Sequence, residues 1–111
     1  MKAPAGNLDA ALRALAEPNR RRILDVIREE PRAVGEIGQS VELSQQVVSH
    51  HLKVLGAAGL VTERRDGTRH LFAVRSDGLA VVRAFLDGFW PDRLAALKHA
   101  AERAARERGD G

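Results

Sequence analysis

Residues 44–55, SQQVVSHHLKVL, concentrate side chains that can hydrogen-bond to nucleic-acid bases. On a helix, Val48, Leu52 and Leu55 fall at i, i+4 and i+7 and form one apolar stripe. The other faces carry donors, acceptors and a cation, and no carboxylate lies among them. Such a helix suits the major groove of DNA, where base edges take hydrogen bonds and phosphates attract positive charge.

The exposed front of this helix is predicted to read DNA. Ser44 is a favourable N-cap, so the first exposed turn begins at two glutamines, and glutamine can pair with adenine through two hydrogen bonds. Lys53 is expected to contact phosphate only. His51 lies about 100° around the helix from His50, and both a phosphate contact and structural packing stay open for it. The alternative for the whole group is a solvated polar face. The predicted DNA-binding residues of the helix are Ser44, Gln45, Gln46, Ser49, His50, His51 and Lys53.

The flanking residues predict a winged helix-turn-helix. Upstream, residues 34–41 carry an apolar face on a short helix, and a tight turn leads to Ser44. Downstream, Gly59 is a natural helix stop. Residues 60–65 read as a strand, 66–68 as a hairpin turn and 69–74 as the return strand. The expected fold class is therefore mainly α with a small β-hairpin, the wing spanning about 60–74.

Basic side chains accompany these elements. Arg64, Arg65 and Arg69 on the predicted wing are expected to contact phosphate or to reach into the minor groove. The alternative is an ordinary charged hairpin. In the run of arginines at 20–22, one side chain is a candidate phosphate contact, although such runs on helices are usually solvated.

Helices are predicted on both sides of this unit, giving one domain over 8–107 between tails at 1–7 and 108–111. Pro18 fits the first turn of a helix that Pro31 ends. Ser76 is expected to cap a helix whose last apolar position is Phe89, and Pro91 should kink or break it. A further helix then runs to about 106, so that the C-terminal helices occupy about 77–107.

The terminal helices carry more apolar surface than a chain of 111 residues easily hides. We predict a dimer interface there, which would set two DNA-reading helices about 34 Å apart, one DNA turn. The alternative is that these side chains complete the core of a monomer. The predicted interface residues are Leu8, Leu12, Leu15, Phe89, Trp90, Leu94 and Leu97.

Composition excludes several classes of function. The chain has no cysteine, which excludes disulfides and thiolate chemistry. No apolar run is long enough for a signal peptide or a membrane span, so a cytoplasmic protein without a membrane partner is expected. An enzyme is not expected: Ser49 and His50 are consecutive on a helix and point in different directions. A protein-interaction module would favour an apolar or acidic front on the second helix, and this front is polar.

Three stretches resemble the ArsR/SmtB family of bacterial repressors: residues 14–24 (ALAEPNRRRIL), 43–55 (LSQQVVSHHLKVL) and 58–61 (AGLV). The resemblance covers roughly residues 8–100. It implies a homodimer that binds a near-palindromic operator in double-stranded DNA and represses its own or a neighbouring gene. Residues 89–94 are similar to the C-terminal helix of a subgroup without obvious metal sites.

The resemblance also raises the question of a metal effector. Ala33 and Gly35 stand where thiolate-based relatives carry a Cys-x-Cys pair, and they cannot coordinate metal. His99 and Glu102 match half of a second site on the C-terminal helices, but the complementary Asp-x-His half is missing. Zinc or nickel is therefore only a weak candidate cofactor. The alternative is that His99 and Glu102 are both ordinary surface residues. A small-molecule effector, and repression without any effector, stay open.

Overall fold

A computed structural model describes residues 7–90 and 93–109. Within these residues, helices dominate and one antiparallel hairpin interrupts them, as predicted. The helices and strands are α1 (Leu8–Leu15), α2 (Pro18–Ile27), α3 (Val34–Val41), α4 (Gln45–Ala57), β1 (Val61–Asp66), β2 (Arg69–Val74), α5 (Ser76–Asp87) and α6 (Arg93–Glu107). The α3–α4 pair forms the helix-turn-helix, and the β1–β2 hairpin follows it as the wing.

Side-chain caps fix where three helices begin. Asn7 Oδ1 accepts the Ala10 N–H at 3.0 Å before α1, and Glu17 Oε2 accepts the Arg20 N–H at 3.1 Å before α2. Ser44 Oγ accepts the Val47 N–H at 3.2 Å and starts α4 where the sequence predicts. Each cap satisfies one amide that the first helical turn leaves without an intrahelical partner.

The core lies between α2, α3 and α4. Its large, fully buried side chains come from these three helices and from the residue before the wing, because the apolar faces of the helices meet there. The largest of them are Ile23, Ile27, Ile37, Val41, Val48, Leu55 and Leu60.

The wing is joined to the body by its backbone. Its strands pair from Val61 opposite Val74 to Asp66 opposite Arg69. Near the root, Arg32 and Phe72 exchange backbone hydrogen bonds of 3.0 and 2.8 Å, a short bridge between the segment before α3 and β2. The hairpin therefore continues into a third backbone segment at its base.

Two helix ends differ from the prediction. α2 ends at Ile27, four residues before Pro31, because the intervening residues 28–30 are exposed charges with no apolar side chain to bury. α5 includes Ser76 as its first residue and ends at Asp87, before Phe89. The predicted kink at Pro91 lies outside the described residues.

The molecule is elongated, with extents of 69 × 33 × 27 Å and a radius of gyration of 20.3 Å. A compact chain of this length would have a radius of gyration of about 13 Å. α1 packs against α5. No helix in the described part of the chain has the length and apolar character needed to cross a membrane.

One close backbone approach joins α5 to the end of α4. A Cβ placed on Gly78 would lie 1.8 Å from the Gly59 carbonyl oxygen, so only glycine fits at position 78, in the first turn of α5. Gly59 itself has φ 78°, the left-handed conformation typical of a helix stop. These two glycines set the position of α5 against the helix-turn-helix.

We expect Gly78→Ala to lower the free energy of unfolding by about 2 kcal/mol or more, because the added methyl meets backbone. The matched control is Gly56→Ala on α4, whose Cβ would meet only Val61 Cγ2 at 3.9 Å. That change should stabilise by about 0.5–1 kcal/mol, since alanine is the better helix former. Urea denaturation of both variants checks the opposite signs, and a neutral Gly78→Ala would contradict the packing described.

Candidate nucleic-acid interface

The orientation of α4 about its own axis places its polar front at the protein surface. Val48, Leu52 and Leu55 are buried in the core. The opposite side chains are exposed, as predicted, and among the described residues they make no side-chain hydrogen bond apart from the Ser44 cap. The exposed set is Ser44, Gln45, Gln46, Ser49, His50 and Lys53.

Val47 is a part of this surface that the sequence interpretation missed. It is 41% exposed although it is a β-branched apolar residue. It lies one position after Gln46, in the first turn of α4, where an apolar side chain can contact a thymine methyl group. The signal was present in the sequence, because Val47 does not belong to the stripe of Val48, Leu52 and Leu55.

His51 was included among the DNA-binding residues, and its burial does not agree with that assignment. Its exposed fraction is 9%. Arg20 Nη1 lies 3.4 Å from His51 Nδ1, and Glu17 Oε2 lies 3.7 Å from Nε2. Since a guanidinium only donates, Nδ1 accepts and the imidazole proton sits on Nε2, towards the carboxylate. The alternative of structural packing describes His51 better than a phosphate contact does.

The surroundings of His51 hold it neutral. Burial lowers its pKa below the usual 6.5, since charging a buried imidazole is unfavourable. Glu17 opposes this effect and raises the pKa, whereas Arg20 and His50 lower it further. The net direction is downward. A neutral imidazole can keep accepting the Arg20 hydrogen bond.

The arginine run bonds to backbone carbonyls at helix ends. Arg20 Nε donates to the Ala14 carbonyl at 2.7 Å, and Arg21 Nη1 to the Leu15 carbonyl at 2.6 Å, both at the end of α1. Arg22 Nη2 donates to the Val41 carbonyl at 2.8 Å, at the end of α3. Cations at these positions complement the negative end of the helix dipole. The run therefore joins helices, a role that neither sequence interpretation anticipated.

The three wing arginines differ in their partners. Among the described residues, the Arg64 side chain has no hydrogen-bond or ion-pair partner. Arg65 Nη2 lies 3.3 Å from His70 Nε2, and the other nitrogen of His70 contacts Glu63. Arg69 Nη2 donates to Glu36 Oε1 on α3 at 2.7 Å. Arg64 is therefore the wing cation that can meet phosphate without breaking an internal contact.

The predicted dimer residues divide into two sets. Leu8 and Leu15 are half-buried, and Leu15 packs against the core, as in the monomer-core alternative. The other five are exposed, from Leu12 at 40% to Leu94 at 77%. Phe85 stacks edge-on against Phe89 with ring centroids 5.2 Å apart. The exposed members are Leu12, Phe89, Trp90, Leu94 and Leu97.

The two candidate metal ligands lie on α6, and both His99 and Glu102 are exposed. Within residues 7–90 and 93–109, no three His, Cys, Asp or Glu side chains are grouped so that they could hold a metal ion.

Comparisons with known proteins agree with this geometry. A helix-turn-helix domain family model matches residues 15–64. The chain is 44% identical to the HTH-type transcriptional regulator Rv2034 of Mycobacterium tuberculosis over 86 residues, 78% of this chain and 80% of the relative. It is 39% identical to the HTH-type transcriptional repressor SmtB of the same species over 104 residues, 91% and 70% of the two chains.

A solved structure is also similar. It is the homodimeric winged helix-turn-helix DNA-binding domain of Mb0332 from Mycobacterium bovis, a possible ArsR-family transcriptional regulator. The TM-score is 0.61 at 31% identity, and the match covers 71% of this chain and 77% of that one.

The neutral state of His51 predicts a loss of stability in acid. Because its folded pKa lies below 6.5, the unfolded chain takes up a proton first as the pH falls, and stability decreases from about pH 6.5 downward. His51→Asn keeps a polar side chain that does not titrate. Urea denaturation at about pH 7.5 and about pH 5.5 should give a larger loss for the wild type than for the variant. Equal losses would show that His51 is not held neutral.

Proposed function

Because the chain belongs to the ArsR/SmtB family of winged helix-turn-helix transcriptional regulators, we propose that it is a homodimeric repressor that binds a near-palindromic operator in double-stranded DNA. The observation that carries this proposal is the front of α4. It is exposed and polar and has no carboxylate, while the back of the same helix is fixed in the core. Such a helix enters the major groove with its N-terminal residues towards the bases.

We assign the contacts by chemistry. Gln45, Gln46 and Ser49 reach base edges, the glutamines as bidentate partners of adenine. Val47 contacts a thymine methyl group beside them. Lys53 contacts phosphate, which fixes the register of α4 and carries no sequence information.

The wing adds contacts to the sugar-phosphate backbone of the DNA. Arg64 meets phosphate or the adjacent minor groove, because its guanidinium has no partner within the described residues. Arg65 and Arg69 contribute positive potential while His70 and Glu36 hold their side chains. This division predicts that the salt dependence of binding rests on Arg64 more than on the other two wing arginines.

The dimer forms through the terminal helices. The support is the set of exposed aromatic and aliphatic side chains near the C-terminus, since exposed apolar side chains of this kind mark an interaction site. They are Phe85, Leu86, Phe89, Trp90, Leu94 and Leu97. The homodimeric state of the Mycobacterium bovis domain agrees with it. A two-fold axis between the copies places two α4 helices about one DNA turn apart, which a palindromic operator requires.

The repressor acts in the cytoplasm and performs no chemical reaction of its own. The support is its family, whose members are transcriptional regulators. No observation favours an effector of a particular class, so operator occupancy is proposed to follow the abundance of the dimer. An interaction module that ignores DNA is the competing function, and the next experiment separates the two.

Replacing Gln46 and Ser49 together by alanine should abolish sequence preference, because the hydrogen-bonding groups that discriminate bases are removed. We expect specific affinity to fall by about 1–3 kcal/mol per lost base contact, while non-specific affinity stays unchanged. The measurement is fluorescence anisotropy on the DNA upstream of its own gene, with and without competitor DNA.

The matched control is Gln39→Ala, a change of an exposed glutamine on α3. Specific binding that survived in the double variant would place the reading face elsewhere. Wild-type protein that bound only in a salt-sensitive and competitor-labile manner would favour the interaction module.

Phe89→Asp should convert the dimer to monomer, because a carboxylate would be buried in an apolar interface without a partner. Phe89 is 69% exposed in the single chain, so the change should leave the fold of the monomer intact. Sedimentation equilibrium checks the mass, and circular dichroism checks the fold. Phe89→Leu is the control and should stay dimeric, whereas a dimeric Phe89→Asp variant would exclude this surface from the interface.

A further inference from the structure

We infer that Glu36 is a positioning residue for DNA binding: it fixes the tilt of the wing against α3, and thereby the place of Arg64. The inference rests on the DNA-binding function proposed above. Nothing in the sequence pairs these residues, because Glu36 and Arg69 are separated by 33 positions.

The Glu36 carboxylate connects three segments. Its Oε1 accepts a hydrogen bond from Arg69 Nη2 at 2.7 Å and another from the Ala33 N–H at 3.0 Å. Its Oε2 lies 3.7 Å from Arg32 Nη1. One side chain in the first turn of α3 thus joins that helix to the segment before it and to the wing.

This contact is the second attachment of the wing to the same region. The first is the exchange of backbone hydrogen bonds between Arg32 and Phe72, which lies in the middle of β2. Arg69 lies three residues closer to the hairpin tip, at the last pair of the ladder, opposite Asp66. Val61, Phe72 and Val74 pack the body end of the hairpin against the core, and the Arg69 contact adds a restraint near the tip that fixes the tilt. Arg64 lies on β1, which pairs with the strand that carries Arg69, so the tilt of the hairpin determines the position of Arg64.

The charge on Glu36 makes the proposal testable, because electrostatic repulsion and positioning predict opposite changes in DNA affinity when that charge is removed. The hydrogen bond from the Ala33 N–H, together with Arg69 and Arg32, holds the pKa of Glu36 below its usual range, so the group is ionised at neutral pH. An exposed carboxylate near the DNA-facing surface repels phosphate. Electrostatics alone therefore predicts that Glu36→Gln strengthens DNA binding. Positioning predicts the opposite.

The first experiment compares wild type, Glu36→Gln and Glu29→Gln by anisotropy on a labelled duplex of the DNA upstream of its own gene. Glu29 is an exposed carboxylate without a partner among the described residues, so it is the matched loss of one negative charge. We expect Glu36→Gln to weaken binding about two- to fivefold, the range of an exposed ion pair. Glu29→Gln should bind as the wild type does or more tightly.

The second experiment asks whether Glu36 acts through Arg64. In the wild type, Arg64→Ala should lower the salt slope by about one. In the Glu36→Gln background the same change should cost less, because the wing no longer holds residue 64 at the DNA. Strictly additive losses would reduce Glu36 to a contributor to stability and overturn the inference.

Arg69 provides the conservative rescue. Arg69→Lys retains a cation for the carboxylate and should bind close to the wild type. Arg69→Ala should weaken binding as Glu36→Gln does, and both should lower the salt slope, because Arg64 is no longer held at the DNA. If Arg69→Ala lowered the slope by about one while Glu36→Gln changed neither the slope nor the affinity, Arg69 would be a phosphate contact and the inference would be wrong.

Hydrogen exchange in the free protein separates the two proposals. Glu36→Gln should speed exchange of the Phe72 amide, which donates to the Arg32 carbonyl, without DNA being present. Wild-type protein that bound no DNA specifically would overturn the proposed function and this inference with it. Specific wild-type binding, together with a Glu36→Gln variant indistinguishable from Glu29→Gln, would overturn the inference alone.

Discussion

The orientation of α4 about its own axis is the constraint on which the interface depends. Val48 and Leu55 are completely buried, so a rotation of the helix that changed its front would expose them, at about 1.5–3 kcal/mol for each side chain. The Ser44 cap fixes the first turn, and His51 anchors the middle of the helix against Glu17 and Arg20. The exposed polar side chains of α4, which pack against nothing themselves, therefore all lie on one side of the helix.

α2 holds this arrangement together through cations that would otherwise count as DNA contacts. Arg20 and Arg21 close the end of α1, and Arg22 closes the end of α3, each by bonding a carbonyl that the helix leaves unpaired. Arg20 also contacts His51, so one guanidinium links α1 to α4. A basic run beside a DNA-binding helix need not contact DNA, because its guanidinium groups can instead bond the carbonyl ends of neighbouring helices.

The predictable features were local ones. Helical and strand periodicity, the Ser44 cap and the hairpin turn depend on neighbouring residues, and the structure has these elements close to where the sequence predicts them. Features that depend on how elements pack were not predictable. The burial of His51 requires α2 to lie behind α4, and the bond of Arg69 to Glu36 requires the wing to meet α3. The predicted end of α2 was wrong. Pro31 gives only the last position that the helix could reach, whereas α2 ends at Ile27, its last buried apolar residue.

Side chains around the proposed interface thus fall into two groups with different energetics. Arg69 already has a charge-assisted hydrogen bond, so turning to a phosphate would exchange one such bond for another with little net gain. Gln46, Ser49 and Arg64 have no side-chain partner among the described residues, so any contact with DNA is made without breaking one inside the protein. Affinity and base discrimination should therefore come from the unpaired group, while the paired group determines where the unpaired side chains are held.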